Sequence, residues 1–455
     1  MLADILNSVP RRYRLPADMP SLPGKRAANP SAALALAIEQ ARQAVVRGDR
    51  PDTKLARAFT EALARLIGEA VHPGTGDPVI QAMVLRHRHA HVREYASLVA
   101  RAGQDRRQVR TAVDAVAHPA RLQRMPDGPV REALAQWRAA AFRESWRDVH
   151  MALPHLLAMP DIAGGTPFQT SLARLLDNPA LARLQRLDAL ASDELVRHYQ
   201  ALWDGHGPRP GSAEAAAQGG VSQQRGKAVE ASAARALGAL AEHLEREAGA
   251  GAAYRVVTSM RVPSSIPASH ERAKTEWDAV LLRRAPDVQG DPAWDVRLLV
   301  EAKASIEAAT TDLPRLQRGV CLLAHAEAGV VYPFQASEGV VRLRGSSLRA
   351  LSADEAGLAR SVLYCCDMPA EPTPRLLGAA GRMQLLSALA SLAFASALEE
   401  GRDADPRELE PVWNELLHAP GWAAVLEQYP RLRQVRGLMV HIDDLMAAPR
   451  NFLPG

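Results

Sequence analysis

A short apolar run, Val296-Arg297-Leu298-Leu299-Val300, ends in the tripeptide Glu301-Ala302-Lys303, and no other stretch constrains the fold as much. A run this brief and this apolar predicts a strand too apolar for an exposed edge. Just upstream, Glu276-Trp277-Asp278-Ala279-Val280-Leu281-Leu282 is a second such run with a carboxylate inside it. Alternate side chains of a strand share a face, so Glu301 and Lys303 point one way. Ala302 turns the other way and leaves its carbonyl near the strand edge. Asp278 shares its face with Val280 and Leu282. If the two strands pair, the carboxylates of Asp278 and Glu301 converge.

The basic residues sharpen this reading. Of 55 Lys and Arg, 50 are Arg, and the lysines are Lys25, Lys54, Lys227, Lys274 and Lys303. Where a plain cation suffices, this chain uses Arg. A Lys at the end of a buried strand therefore points to chemistry that a bulky, permanently charged guanidinium cannot do. Two carboxylates and the Ala302 carbonyl are hard oxygen donors of the kind Mg²⁺ takes, with water completing its shell. Such an ion acidifies a water and neutralises charge on a phosphate, and Lys303 beside it would orient that water or stabilise the charged transition state.

A helix, a strand, a strand with Asp278, a strand closing in Glu301-Ala302-Lys303, and a further helix together resemble the PD-(D/E)XK nuclease superfamily. The resemblance covers 222–344. It implies an α/β core with a mixed sheet flanked by helices, restriction-endonuclease-like in fold. It also implies a Mg²⁺ cofactor, which Mn²⁺ can replace. By it, Asp278, Glu301 and Lys303 are catalytic, and Asp278, Glu301 and the Ala302 carbonyl bind the metal. Glu230, on the first helix, matches an acidic residue that many members add to that site. Gln317, in the helix after Lys303, matches a Gln that contacts the site in some members. Two positions depart from the pattern: Trp277 stands where a Pro often precedes the Asp, and Cys321 where some subfamilies have Tyr.

Around this core the chain divides into four expected parts. Residues 1–203 are expected to be a large all-α N-terminal domain, with apolar residues at helical spacing over 33–47, 55–70, 79–102, 130–151 and 172–202. Residues 204–221, rich in Gly, Pro, Ala and Gln, read as a linker. The nuclease-like domain is expected over 222–370 and a helical C-terminal region over 371–455. Within the core, a helix is expected over 222–247 and strands over 254–262, 277–284, 296–304, 329–334, 340–344 and 361–366. A helix over 312–328 is expected to be capped by Asp312, with Pro314 in its first turn.

Composition narrows the remaining possibilities. The N-terminus lacks a secretory pattern, and no run is long enough to span a membrane; 385–398 reads as one core helix. Cys321, Cys365 and Cys366 make no disulfide framework, so a cytoplasmic, reducing setting is expected, with delivery into another cell as the alternative. No phosphate-binding or dinucleotide loop occurs, so no nucleotide cofactor is expected. His87 and His91 would fall one helical turn apart in 79–102, a spacing zinc can use or a basic face can show. Net charge is only +4, yet 86–147 holds 13 Arg against six acidic residues. Arg106, Arg107, Arg110, Arg121 and Arg124 are its densest cluster and a candidate backbone-contacting surface for nucleic acid. The expectation is a Mg²⁺-dependent endonuclease acting on DNA, in defence, repair or as a delivered effector, with a homodimer or regulatory partner compatible. The alternative is a catalytically silent, nuclease-like scaffold or nucleic-acid-binding protein.

Overall fold

The computed structural model describes residues 1–15, 29–162, 167–205, 207, 212–249, 253–286, 292–371 and 374–451. The chain separates into two compact units whose boundaries differ from the four expected parts. One comprises 1–66, 209–386 and 405–455; the other comprises 67–208 and 387–404. Residues 1–66 and 405–455 thus belong with the sheet and not to helical domains of their own, while 387–404 of the expected C-terminal region belong with the helical unit. The reason is burial. Ile5, Leu6 and Val9 near the N-terminus and Val440, Ile442 and Leu445 near the C-terminus share one apolar cluster with sheet residues Leu298 and Val300. Residues 206 and 208–211 of the expected linker fall outside the described residues, but Ala213–Ala248 is one continuous helix, so its second half is not loop.

The sheet has seven strands: β1 Tyr254–Arg261, β2 Glu276–Arg284, β3 Ala293–Ala302, β4 Val331–Ala336, β5 Gly339–Arg344, β6 Val362–Cys366 and β7 Met439–His441. β1 and β2 pair antiparallel, as do β2 and β3. β3 and β6 run parallel, joined through helix Ile306–Ala324, and β7 adds parallel to β6. The helix Ala213–Ala248 covers one face with Val229, Ala233, Leu237, Leu240 and Leu244. Leu313, Leu316, Val320 and Leu323 of Ile306–Ala324 cover the other, against Val280, Leu299 and Tyr364. Full burial of each Val or Leu among them is worth about 1.5–3 kcal/mol. β3 is therefore apolar on both sides, as its sequence requires.

This mixed, helix-flanked sheet has one feature that the restriction-endonuclease-like expectation does not contain. The hairpin β4–β5, lying between the crossover helix and β6, folds back so that five strands close into a ring in the order β2-β1-β4-β5-β3, with β2 pairing β3. The closing contacts are short, Arg261 opposite Gln335 on one side and Ala293 and Trp294 opposite Arg342 and Leu343 on the other. Closure pairs only the Arg261 end of the otherwise open edge of β1.

The second unit is all helical. Trp137, Trp146, Val149, Leu153 and Leu181 form its core, and the Trp137 indole N–H donates to the Val149 carbonyl at 3.0 Å. Helix Leu389–Glu399 packs beside Pro78–Arg88 there, where Arg88 meets Glu399 at 2.7 Å. Two expected helices are broken. The 79–102 segment turns extended at His89, so His87 and His91 sit on different helices, and His91 instead faces Asp193 at 3.4 Å. The 385–398 segment breaks at Ala388. Among the described residues no single helix is long and apolar enough to cross a membrane.

Candidate active site

β2 and β3 bring Asp278, Glu301 and Lys303 to one end of the sheet. Ala279 lies opposite Val300, so Asp278 and Glu301 are next in the antiparallel register. Asp278 Oδ2 accepts the Ala302 backbone N–H at 2.8 Å, which fixes its carboxylate against β3. Opposite it on β1 the ladder skips Ser259, whose φ of 47° is in the left-handed region. Strain of that kind persists where surrounding structure imposes it.

Glu301 is 0% exposed. Its Oε2 lies 2.7 Å from Lys274 Nζ and 3.0 Å from Lys303 Nζ, while Oε1 is buried with no hydrogen-bond partner. Burial, reinforced by the nearby Asp278 charge, pushes the carboxyl up to about 8 against the pull of the two ammonium groups. Burial alone would lower the Lys303 ammonium, but Glu301, Asp278 and Asp312 outweigh it and hold its pKa above the ordinary lysine value. Lys303 is thus a fixed cation and not a base.

Glu230 is solvent-exposed on Ala213–Ala248. Desolvation at the rim and repulsion from Asp278 push its carboxyl up, which brings it into the same electrostatic group. Ala302 is buried, facing the helix Ala213–Ala248. Gln317 is half-buried, and no hydrogen bond links it to the cluster. It lies about 140° around the helix from Asp312, the residue that does reach Lys303.

Asp312 is also a correction to the expected helix boundary. Ser305 caps the helix by accepting the Ala308 N–H at 3.1 Å, so the helix begins at Ile306 and both Asp312 and Pro314 lie inside it. Asp312 Oδ2 is 3.6 Å from Lys303 Nζ and 3.4 Å from the Tyr364 hydroxyl. Burial first, then Asp312 and Glu301, raise that phenol above its ordinary pKa.

Sequence pattern does not single out Lys274 among the five lysines, although the same Arg bias marks it. It precedes β2 in a loop, where no strand periodicity drew attention to it. Only the fold seats it 5% exposed on Glu301, its backbone N–H donating to Arg315 O at 3.1 Å. Gly319 makes room: a Cβ there would lie 2.8 Å from Lys274 Cβ. Asp295, on the same strand as Glu301, is spent on Arg344, whose Nε donates to it at 2.7 Å.

The arginine cluster, in the helical unit, is less free than its sequence implied. Arg106 and Arg110 both engage Glu144, at 3.1 and 2.8 Å. Arg121 lies over the Phe168 ring at 5.3 Å. Arg107 and Arg124 remain exposed. Compared with protein-family models, curated proteins and solved structures, the chain matches none.

Proposed function

We propose that this protein is a metal-dependent nuclease hydrolysing DNA phosphodiester bonds. One observation carries the reading: Asp278, Glu301 and Lys303 meet at the ends of two paired strands, with Glu301 Oε1 buried and unpartnered. An orphaned carboxylate oxygen in a core is costly unless a cation is meant to meet it. The path β1-β2-β3-β6, with β3 and β6 parallel across Ile306–Ala324, is the part of the sheet that fits this reading; the closed five-strand ring is not.

The donors present fit Mg²⁺. Glu301 Oε1, the second oxygen of Asp278 and the Ala302 carbonyl would hold it, with Glu230 at the rim. No group of three His, Cys, Asp or Glu forms a ready cage among the described residues, so water would complete the shell. When bound, the ion supplies an acidified water and neutralises charge on the phosphate. Asp278 keeps its orientation through the Ala302 N–H. Lys274 holds Glu301 Oε2, which leaves Oε1 for the ion. Lys303, steadied by Asp312, presents its ammonium to the phosphate oxygens as negative charge builds there.

The same Lys274 contact favours a second reading, a silent binding protein in which the 2.7 Å ion pair neutralises Glu301 for good. Cleavage of plasmid, linear, branched and single-stranded DNA across Mg²⁺ and Mn²⁺, with an EDTA control, separates the two. Under the nuclease reading Lys303→Ala loses cleavage by about 10²-fold or more while folding and DNA binding persist. Full activity in that variant refutes the reading.

A further inference from the structure

The sheet end that carries Asp278, Glu301 and Lys303 is bordered by cations on both faces. On one face, Arg315 and Arg318 stand exposed on Ile306–Ala324, just past Asp312, which contacts Lys303 at 3.6 Å. The loop 262–275 is stitched to the same helix: the Lys274 backbone N–H donates to Arg315 O at 3.1 Å, and Arg318 Nε donates to Arg272 O at 2.8 Å. Arg272 is held left-handed there, with φ 55°, and its side chain is 82% exposed. On the other face, Lys227 is exposed on Ala213–Ala248, one turn before Glu230. Desolvation first, then Asp278, raises the Glu230 carboxyl, and Lys303 and Lys227 draw it back, so Lys227 borders the same charges.

The acidic residues nearby are already engaged elsewhere. Glu271 meets Arg272 at 3.7 Å, Glu276 meets Arg261 at 3.2 Å, and Glu307 meets Arg375 at 3.8 Å. Among the described residues, the Arg315 and Lys227 side chains make no ion pair or hydrogen bond, and Arg318 makes no ion pair. Exposed cations of this kind add little to stability, but they suit a polyanion laid across the site. The two helices cover opposite faces of one sheet, so the two cationic sides lie roughly 20 Å apart, at about 10 Å per layer. Two rows of phosphate, one from each strand of a duplex, fit that span better than the single row of an unpaired strand.

We propose that this rim holds double-stranded DNA by its phosphates, with Arg315 and Arg318 on one strand, Lys227 on the other, and the site between them. The proposal rests on the nuclease reading of that site and adds the form of its substrate. Contacts to phosphate fix the position of the duplex and carry no sequence information.

The test uses the full chain in EDTA, so that binding is read apart from cleavage. Fluorescence anisotropy compares a labelled duplex with the matching single strand at several salt concentrations. The duplex should bind more tightly. Arg315→Ala and Lys227→Ala should each weaken duplex binding and make the slope of log affinity against log salt shallower by about one, and together by about two. Arg315→Lys, which keeps the charge, should keep the wild-type slope. Thermal melts of all three should match the wild type. Arg283→Ala removes the same charge from the far end of β2 and should bind like the wild type. A duplex that is not bound, or is bound no more tightly than the single strand, overturns the proposal. Unchanged affinity and slope in either Ala variant of the rim does so too. An equal loss in Arg283→Ala also overturns it, because binding would then follow net charge alone. The expected binding pattern with no cleavage in Mg²⁺ would count against the nuclease reading alone.

Discussion

Replacing Glu301 with Gln tests the energetics of the site most directly. Its carboxyl is raised from 4.5 to about 8 in the folded chain, chiefly by burial. Between those pH values the folded state keeps a proton that the unfolded chain releases. The stability associated with this proton is fully present below pH 4.5 and is lost as the pH rises through about 8. Each pH unit of such mismatch is worth about 1.4 kcal/mol. The interval, 8 minus 4.5, therefore corresponds to about 5 kcal/mol. Gln has the size of a protonated Glu and does not titrate. Glu301→Gln should match the wild type near pH 4.5 and exceed it by several kcal/mol above pH 8. Thermal and urea melts across pH in EDTA would show it, with Tm rising on the order of 2 °C per kcal/mol. Gaining stability while losing the proposed activity is the expected trade at a strained functional site. A variant less stable than the wild type above pH 8 would mean that the two ammonium groups win over burial, and the argument would fail.

Three further outcomes follow from single positions. Gly319→Ala puts a Cβ 2.8 Å from Lys274 Cβ and its carbonyl oxygen, so melts should show a loss of about 1–3 kcal/mol, and cleavage should fall as Lys274 shifts. Ser259→Gly removes a left-handed Ser beside Asp278 and should raise the urea midpoint by an amount equivalent to about 1 kcal/mol without changing the slope; a lower midpoint would contradict the strain. Asp105, 3% exposed, accepts from Arg183 at 2.9 and 2.6 Å, and that bonding lowers its carboxyl pKa. Its contribution is present above the ordinary Asp value and lost as the pH falls through the lowered one. Asp105→Asn should therefore cost about 1–3 kcal/mol at neutral pH and progressively less in acid, read from paired melts.

Much of the sheet was legible in the residues because strand periodicity is local. β1, β2, β5 and β6 fall within a residue or so of the expected runs, since Val, Leu and aromatic residues alternate or cluster there between turn residues. Helix starts were harder. Asp312 reads as a cap because Asp with a Pro two residues on often begins a helix, but the Ser305 hydroxyl, seven residues earlier, accepts the Ala308 N–H. Pro314 is then carried inside the helix, between the buried Leu313 and Leu316. β7 escaped notice because Met439-Val440-His441 is too short to show a period and becomes a strand only by pairing with β6.

The amino-acid order by itself determined the apolar strands and placed Asp278, Glu301 and Lys303 on them, because a side chain's face on a strand is set by counting residues; the pairing of those strands belongs to the tertiary structure. The tertiary structure alone decided what surrounds them. It brought Lys274 from a loop and Asp312 from a helix onto the same charges, closed five strands into a ring, and drew both chain termini onto the sheet. Those contacts join residues far apart in the chain, and their stability comes from shared burial, which no local pattern encodes.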